Sequence, residues 1–529
     1  MVTRLSADTF DVVIIGGGIN GAAIARDAAM RSLRVALVDK GDFAGATSSR
    51  SSKLIHGGLR YLPQGHLKMV HNALRERERL RHLTAPHLVR PIQFLMPFFR
   101  GRRPGRLAIV AGLTLYDVMA LTPKPERHHL LSASRVQEIE PRLRVNEMTG
   151  GVTYHDGTGD DARITLENVL DAAYHGAAVV NYAAVEDFER SGSSLNAVAV
   201  RDLENGTLVN VRARRIVNAA GPWADDLRRM DDAGCAAGIR LTKGVHLVIE
   251  FERLPVRNAL VLTDHHGRIV FVMPYGRYVL VGTTDTDFNG DRYMVTADRD
   301  DLEYLLAVVG DALHEVALTA GDVVASFAGL RALPRLATNA RPSSVPREEV
   351  ILESPSGLIT VAGGKLTTHR RIAQQVVDLI CKRLSLPIQK SPTLTVPLPG
   401  ARAIVEDDPA STKLPSETRR LLNERYGTRA TLVAAVAAQD ADLINPLIDG
   451  CSTIRAEVIF AIRYEMARSV GDFLVRRTSM TWKAPLDALA SAPIVARLMA
   501  RELRWGPAHE MSEVNQFKKL SESVHGIIR

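Results

Sequence analysis

The chain has 529 residues, too many for a single hydrophobic core, so we expect two or three domains. Hydrophobic residues make up 46% of the sequence and charged residues 24%, which is ordinary usage for a globular protein. The formal net charge of +8 is mild for this length and fits an anionic substrate or an acidic membrane surface better than a nucleic acid, since no basic arm or nucleic-acid module is present.

The cysteines and the apolar runs exclude several other classes. Cys235, Cys381 and Cys451 are far apart and form no CxxC pair, so neither a disulfide framework nor a zinc site is indicated, and we predict no metal. The first ten residues lack the apolar core of a signal peptide, and no run of 18 apolar residues could span a membrane. We therefore expect a cytoplasmic protein.

The stretch from Phe10 to Lys40 predicts a dinucleotide-binding βαβ unit. A buried strand over Val12–Ile15 leads into a glycine turn, an alanine-rich helix follows, and a second strand ends on Asp39. The turn glycines allow a tight bend and a close approach of a pyrophosphate to the helix N-terminus, and the acid can bind the ribose; they are Gly16, Gly17, Gly18 and Gly21. The motif alone does not separate NAD from FAD.

A loop rich in small hydroxyl residues follows, from Gly41 to Tyr61. Its hydroxyls and backbone N–H groups can hold phosphates and the polar edge of a ring system. His56 precedes two glycines that would let a planar cofactor approach, and Arg60 and Tyr61 follow after Leu59. Further on, Pro91–Pro97 is predicted to be a strand.

The segment from Arg100 to Leu121 combines a basic loop with an apolar helix pattern. Four arginines (Arg100, Arg102, Arg103 and Arg106) precede the apolar run Leu107–Leu121. The pattern fits a helix that lies in a membrane interface, and it fits equally a core helix capped by a solvated basic loop. The residues leave both interpretations open.

The middle of the chain predicts a second part of the nucleotide site and a separate sheet. A strand over Arg215–Asn218 stops on small residues, Ala220 and Gly221, where a backbone could pass close to a dinucleotide. Strands over residues 241–250, 268–275 and 278–284 form a sheet that carries substrate contacts, and a strand over 326–331 ends on Arg331.

The last third begins with another strand, glycine pair and helix start. A strand over Leu358–Val361 runs into Gly363-Gly364-Lys365, and a helix begins at His369, which together form an anion or carbonyl-oxygen site. After Pro387 the pattern is helical from Leu414 to the end, with one helical pattern over Ile454–Arg477.

Long motifs in order along nearly the whole chain resemble those of FAD-dependent glycerol-3-phosphate dehydrogenase. They are GGGINGAAIARDAA, ATSSRSSKLIHGGLRYL, DDARITLENVLDAA, NAAGPWAD, LTKGVHLVI, VGTTDTDF, FAGLR, VAGGKLTTHR and, towards the C-terminus, AEVIFAIRYEMARSVGDFLVRRT. SSKLIHGGLRYL and GGKLTT are very specific to that family, whereas GxGxxG is not.

The resemblance implies an α/β chain (α+β overall) with a Rossmann-like FAD-binding domain, an inserted antiparallel-sheet substrate domain and a helical C-terminal domain. We expect the FAD-binding domain at 1–80, 151–235 and 331–388, the substrate domain at 81–150 and 236–330, and the helical domain at 389–529. The resemblance also implies a quinone acceptor and peripheral attachment to the inner face of the cytoplasmic membrane, for which 100–121 is the candidate contact. A homodimer is left open.

The resemblance also assigns residues. It implies that the four turn glycines and Asp39 bind the adenosine diphosphate part of FAD. The residues implied to lie along the rest of FAD are Thr47, Ser48, Ser49, Ala220, Gly221, Gly364, Leu366 and Thr367. His56 is the preferred base, because a neutral imidazole can take the hydroxyl proton as hydride leaves the carbinol carbon; His246 is its rival, and Arg331 completes the catalytic set. Arg60, Arg331, Lys243 and Lys365 are the cations for a phosphate dianion, to which Tyr61 adds a hydroxyl.

The predicted reaction is oxidation of sn-glycerol 3-phosphate to dihydroxyacetone phosphate. Gly157-Thr158-Gly159 replaces bulkier residues of the family, and RYLPQGHLKMV lacks the usual acidic or aromatic residues after RYL. A larger polyol phosphate such as erythritol phosphate therefore stays open as substrate, and oxygen stays open as acceptor. A non-catalytic flavin-binding assembly or RNA-modifying factor is disfavoured by the intact cluster of His56, Arg60 and Arg331.

Overall fold

The computed structural model describes residues 5–6, 8–62, 64–101, 105–120, 126–335, 349–402 and 414–525. Its strands, in chain order, are β1 Thr9–Phe10, β2 Val12–Ile15, β3 Val35–Val38, β4 Leu54–Ile55, β5 Val89–Phe99, β6 His129–Leu131, β7 Met148–Gly159, β8 Ala178–Val180, β9 Ala183–Ser191, β10 Ser194–Asp202, β11 Leu208–Ala213, β12 Ile216–Asn218, β13 Ile239–Glu250, β14 Ala259–Thr263, β15 Ile269–Tyr275, β16 Tyr278–Gly282, β17 Thr286–Asp287, β18 Val323–Pro334, β19 Glu349–Glu353 and β20 Leu358–Gly363.

Helices occupy the connections and the C-terminal part. In chain order they are α1 Ile19–Met30, α2 Leu67–Arg79, α3 Arg106–Ala120, α4 Ala133–Ile139, α5 Asp161–Tyr174, α6 Ala224–Asp231, α7 Arg299–Ala312, α8 His369–Arg383, α9 Ser416–Tyr426, α10 Ala430–Ala437, α11 Arg455–Glu465, α12 Met480–Lys483, α13 Pro485–Leu503 and α14 Pro507–His525.

The predicted nucleotide-binding unit forms the centre of a six-stranded sheet in the order β19-β20-β12-β2-β3-β8. Every pairing in it is parallel except that of the edge strand β19 with β20. β2 is buried on both faces, which explains its unbroken run of β-branched residues: α1, α5 and α8 pack against Val12 and Ile14, and the strands β9, β10 and β11 pack against Val13 and Ile15. A smaller sheet, in the order β1-β11-β10-β9, packs beside it. This Rossmann-like arrangement confirms the predicted fold class.

A ten-stranded sheet faces the nucleotide sheet across a cavity. Its order is β17-β13-β16-β15-β14-β5-β7-β4, with β18 paired to β13 and β6 paired to β7. The pairings are antiparallel except that of β14 with β5. β7 crosses the domain boundary expected at residue 150, and β4 brings the end of the hydroxyl-rich loop to the edge of this sheet.

The C-terminal part is helical, as predicted, and one of its helices is interrupted. The sequence pattern over 454–477 predicts one helix, but α11 ends at Glu465, Met466 takes the left-handed conformation (φ 57°), and a π-helical turn follows at Asp472–Arg477. The physical reason is that Arg477 folds back and donates to the Glu465 carbonyl oxygen (2.7 Å), which replaces the hydrogen bond a continuing helix would supply.

α3 is the helix predicted for the basic and apolar segment. Leu113 and Tyr116 are buried, whereas Leu107 is 86% and Val118 65% exposed, so the helix packs on one face and leaves an apolar face open. Arg102, Arg103 and Leu121 lie outside the described residues. Within the part of the chain that the structure describes, no helix has the length and apolar content needed to cross a membrane.

Candidate active site

A cavity of about 1580 Å³ lies between the nucleotide sheet and the ten-stranded sheet. It extends from the glycine turn after β2, past the hydroxyl-rich loop, to the start of α3. Predicted site residues on its wall are Gly16, Gly18, Asp39, Thr47, Ser48, His56, Arg60, Ala220, Gly221, His246, Arg331, Gly364, Lys365, Leu366 and Thr367. The structure therefore brings most of the predicted cofactor and substrate residues to one space.

The glycine turn has the geometry that a pyrophosphate needs. Gly16 has φ 107°, and a Cβ at this position would lie 2.6 Å from the Ala219 carbonyl oxygen. A Cβ on Gly21 would lie 1.9 Å from the Gly16 oxygen, so α1 can pack this closely only with glycine there. The Ile19 N–H at the start of α1 donates to Ser48 Oγ (2.9 Å), which places a hydroxyl beside the helix N-terminus.

Asp39 shapes the turn from the end of β3. Its carboxylate accepts from the N–H groups of Gly17 (2.6 Å) and Gly41 (2.8 Å). Burial raises the pKa of Asp39 to about 6, against the lowering effect of these two hydrogen bonds. Asp39 thus holds the loop and lies where the dinucleotide fingerprint places the ribose. Gly17 packs under the Phe43 ring and, like Gly21, supports the turn from behind the cavity wall.

The hydroxyl-rich loop turns its residues in different directions. Thr47 donates from Oγ1 to the Leu330 oxygen (2.6 Å) and thereby joins the loop to β18. Ser49 is buried, and its Oγ donates back to the Ala46 oxygen (3.3 Å), so it supports the loop from inside. On the opposite wall, Gly364 has φ 81°, and a Cβ there would lie 2.4 Å from Ile372 Cδ1.

His56 lies on the cavity wall, where the hydroxyl-rich loop meets the turn after β20. Its N–H donates to Thr367 Oγ1 (3.1 Å), and Thr367 Oγ1 donates to the His56 oxygen (3.2 Å). The hydroxyl-rich loop and the turn after β20 therefore meet at this histidine, although they are about 310 residues apart in sequence.

Arg331 extends from β18 across Gly244 of β13. A Cβ at position 244 would lie 2.2 Å from the guanidinium, so in this position the guanidinium lies directly over the glycine. Arg331 donates to Asp285 Oδ1 (3.1 Å), Thr283 Oγ1 (3.1 Å) and the Thr284 oxygen (3.2 Å). These contacts fix the plane of the guanidinium at the cavity wall.

Two further cations, Arg60 and Lys365, contact Tyr61. Lys365 Nζ lies 4.3 Å from the centre of the Tyr61 ring, and the Arg60 guanidinium donates to Tyr61 Oη (2.7 Å). Gly58, at φ 83°, has no Cβ, and one there would lie 2.9 Å from Lys365 Nζ. Tyr61 itself is buried beneath these cations rather than exposed on the cavity wall. The arrangement concentrates positive charge close to His56.

His246 is held as a neutral ring. Its Nε2 shares a hydrogen bond with Ser52 Oγ (2.8 Å), and the ring stacks on Phe327 with a centroid distance of 4.8 Å. Burial, together with the charges of Arg331 and Lys53, lowers the pKa of His246 to about 3. A group with so low a pKa is a weak proton acceptor.

Lys243 does not reach the cavity. Its ammonium lies between Asp298 and Asp301, with 2.6 Å to Asp301 Oδ2, at the N-terminus of α7. Two carboxylates already satisfy this buried cation, so the structure does not bring it together with Arg331 and Lys365. The sequence pattern could not reveal this, because the two aspartates follow 55 or more residues later.

The structure adds residues that the sequence did not single out. Arg50 lines the cavity, and burial together with the charge of Arg476 lowers its pKa to about 10. Asp156 of β7 is 3% exposed and also lines the cavity, close to Gly57 (3.3 Å from its N–H). The available signal for the latter was an acid that continues the every-second-residue series of Val152 and Tyr154, on what would be the apolar face of the strand.

Comparison with known proteins agrees with this geometry. The family model "FAD dependent oxidoreductase" matches residues 11–379, and "C-terminal domain of alpha-glycerophosphate oxidase" matches residues 391–510. The chain is 34% identical to the aerobic glycerol-3-phosphate dehydrogenase of Staphylococcus haemolyticus, over 98% of this chain and 94% of that protein. It is 36% identical to glycerol-3-phosphate dehydrogenase 2 of Mycobacterium bovis, over 97% of this chain and 88% of that protein.

Solved structures show the same fold. The glycerol-3-phosphate dehydrogenase of Bacillus halodurans, complexed with FAD, superposes with a TM-score of 0.82 at 29% identity and covers 100% of this chain and 97% of its own. The glycerophosphate oxidase of Mycoplasma pneumoniae shares the fold (TM-score 0.58, 21% identity, 74% of this chain and 99% of its own). The glycine turn, Asp39 and the long cavity fit FAD, and FAD is the cofactor of this chain, which belongs to the family of FAD-dependent glycerol-3-phosphate dehydrogenases.

Proposed function

We propose that this protein oxidises sn-glycerol 3-phosphate to dihydroxyacetone phosphate and passes the electrons to a membrane quinone. The observation that carries the proposal is one cavity that joins a dinucleotide fingerprint to His56 and three cations, Arg60, Arg331 and Lys365. The names of the curated relatives support the same substrate.

In the proposed reaction a secondary alcohol becomes a ketone. When bound, FAD supplies the two-electron acceptor for the hydrogen of the carbinol carbon. His56 takes the hydroxyl proton, so that the C–O bond can become a carbonyl as the C–H bond breaks. The two steps together remove two electrons and two protons from the substrate, which balances the oxidation.

The cations position the substrate by its phosphate. Arg331 carries one positive charge, and the contact with Asp285 offsets part of it, so a phosphate dianion needs at least one more cation. Lys365 and Arg60 lie around Tyr61 and supply that charge. A phosphate held in this way fixes the carbinol carbon near His56, which is catalysis by proximity.

The substrate proposal is tested by anaerobic bleaching of the bound flavin. We expect sn-glycerol 3-phosphate to bleach it, unphosphorylated glycerol to fail, and erythritol phosphate to bleach it more slowly. Arg331→Ala should raise KM for the phosphate ester by roughly 10- to 150-fold, since a charged hydrogen bond contributes roughly 1.5–3 kcal/mol. Arg299→Ala removes an exposed arginine at the start of α7 and is the control. An unchanged KM in Arg331→Ala would remove Arg331 from the phosphate site.

The acceptor proposal is supported by the position of α3. Ala108, Ile109 and Gly112 of this helix line the cavity, whereas Leu107 and Val118 are exposed to solvent. One helix thus joins the redox cavity to an apolar outer face preceded by arginines, which suits an amphiphilic quinone and an anionic membrane surface.

Vesicle flotation and an oxygen electrode test the acceptor. We expect the protein to float with anionic vesicles, and the double substitution Leu107→Ser with Val118→Ser to weaken flotation without changing reduction of a soluble dye. Leu432→Ser removes an exposed leucine in the C-terminal domain and is the control. Peroxide formation at the rate of dye reduction would instead identify an oxidase.

A further inference from the structure

The peptide after His56 is held by a side chain from α3. The Gly57 N–H donates to Tyr116 Oη (2.8 Å), and Tyr116 Oη in turn donates to Asp156 Oδ1 (2.7 Å). Asp156 Oδ1 also lies 3.3 Å from the Gly57 nitrogen. Tyr116 is 1% exposed and Asp156 3% exposed, so water does not replace these contacts easily.

A buried arginine anchors the far end of this chain of hydrogen bonds. Arg77 of α2 donates from Nη1 to Asp156 Oδ1 (2.6 Å) and to the His155 oxygen (3.1 Å). The Asp156 carboxylate therefore has a fixed orientation, and the Tyr116 hydroxyl donates to this carboxylate, with Oδ1 at 2.7 Å and Oδ2 at 2.9 Å. Its lone pairs are left for the Gly57 N–H.

Packing also restricts the movement of the peptide between His56 and Gly57. A Cβ on Gly57 would lie 2.5 Å from Leu74 Cδ2 and 2.7 Å from Tyr116 Oη, so the backbone rests directly against both side chains. On the other side, Thr367 Oγ1 contacts both the N–H and the oxygen of His56. The candidate base is thus held between the turn after β20 and helix α3.

We propose that Tyr116, oriented by Asp156, is a positioning residue that sets the place of His56 in the cavity. The inference rests on the proposed function, in which His56 takes the substrate's hydroxyl proton. The hydrogen bonds described for Tyr116 join Gly57 and Asp156 and none of the cations of the phosphate site, so loss of its hydroxyl should slow proton removal while leaving FAD binding and phosphate binding in place. Displacing a reacting group by about 1 Å can cost on the order of a hundredfold in rate, so the effect should be measurable.

The test is Tyr116→Phe, which keeps the ring and removes the hydroxyl. Flavin reduction by sn-glycerol 3-phosphate is followed by anaerobic stopped flow, with rates expressed per bound FAD. We expect the limiting rate of reduction to fall by about tenfold or more, while the substrate concentration at half-saturation changes less than about twofold. Asp156→Asn, which weakens the same contact, should lower the rate in the same direction if Tyr116→Phe does not fold.

Tyr426→Phe is the matched control. Tyr426 is a fully buried tyrosine of the C-terminal domain whose hydroxyl also donates to a carboxylate, Glu457 Oε2 at 2.9 Å. Its loss should lower the melting temperature as much as Tyr116→Phe does, without slowing flavin reduction. An equal fall of the reduction rate in both variants would reduce the effect to general destabilisation and would overturn the inference.

A double-mutant cycle separates the inference from the proposed function. His56→Ala should slow reduction strongly, and Tyr116→Phe should then have no further effect, because it acts through His56. If His56→Ala leaves the rate unchanged, the base is misassigned and the proposed mechanism fails. If His56→Ala is slow but Tyr116→Phe alone is as fast as the unaltered protein, only the positioning role is refuted.

Discussion

Asp42 offers a test of what the C-terminal domain does for the FAD site. Asp42 follows Asp39 by three residues and lines the same cavity, yet its carboxylate is 3% exposed and receives a bidentate contact from Arg477 (2.6 and 2.8 Å). Arg476 donates to the same carboxylate (2.5 Å). The first loop of the cofactor site is thus bound to a turn that lies more than 430 residues later.

The perturbation is Asp42→Asn, which keeps the size of the side chain and removes its charge. Two buried guanidiniums then lose a shared anion, and breaking a buried ion pair in this way costs roughly 3–5 kcal/mol. If the substitution lowers the free energy of local opening of the loop by this amount, amide exchange in the loop should accelerate by between roughly a hundredfold and a few thousandfold. The change should be confined to residues 41–45 and 472–477.

The assay is hydrogen exchange read by mass spectrometry at pH 7, together with the FAD content of the purified protein. We expect fast exchange in the two segments and weaker retention of FAD. Glu417→Gln, which breaks an exposed ion pair with Arg420 in the same domain, is the control and should change neither quantity. Exchange in Asp42→Asn within threefold of the unaltered protein would refute the reasoning.

The pH dependence gives a second check on Asp42. Burial alone would raise the pKa of this carboxyl, but the charges of Arg477 and Arg476 lower it to about 2. A depressed pKa means that the stabilisation is fully present above the unfolded value of 3.8 and is lost as the pH falls through 2. The difference between the unaltered protein and Asp42→Asn should therefore stay constant from pH 8 to 5.

Two further predictions concern the glycine turn and His246. Gly16→Ala should purify with little FAD by flavin absorbance, because its Cβ would lie 2.6 Å from the Ala219 oxygen at φ 107°, whereas Gly310→Ala, in open space on α7, should keep it. Burial lowers the pKa of His246 to about 3 from 6.5, so between these values only the unfolded chain takes a proton on this residue. Stability therefore decreases as the pH is lowered from 6.5, by at most about 1.4 kcal/mol per pH unit. His246→Gln should flatten the decline of melting temperature from pH 6.5 to 5; parallel curves would contradict the buried neutral ring.

The nucleotide unit could be predicted because its causes are local. A strand buried on both faces, a glycine turn and an acid at a fixed spacing are all properties of one short stretch of sequence, and in the structure Gly16, Gly18 and Asp39 line the same cavity. The cations followed from the resemblance rather than from any pattern. Lys243 shows the limit of that approach, because its partners Asp298 and Asp301 lie on another element.

The helix break in the C-terminal domain could not be predicted for a related reason. The apolar pattern over 454–477 contains no proline, and its one glycine, Gly471, lies six residues after Glu465, so periodicity predicts one helix. The structure ends α11 at Glu465, whose carbonyl oxygen is bound by Arg477, and Arg477 also binds Asp42 in the other domain. A tertiary contact therefore decides a local conformation, and no window of sequence around Glu465 contains that information.

The loop from Gly41 to Tyr61 shows why the family's most specific motif lies where it does. The loop is bound at Asp42 by Arg477, at Ser51 and Lys53 by the buried Asp161 at the start of α5, and at Gly57 by Tyr116. None of these partners belongs to the glycine turn that binds the nucleotide. Because each contact fixes a different part of the loop, a change at one position is not compensated by the others. The position of His56 in the cavity therefore depends on the C-terminal domain, on α5 and on α3 together.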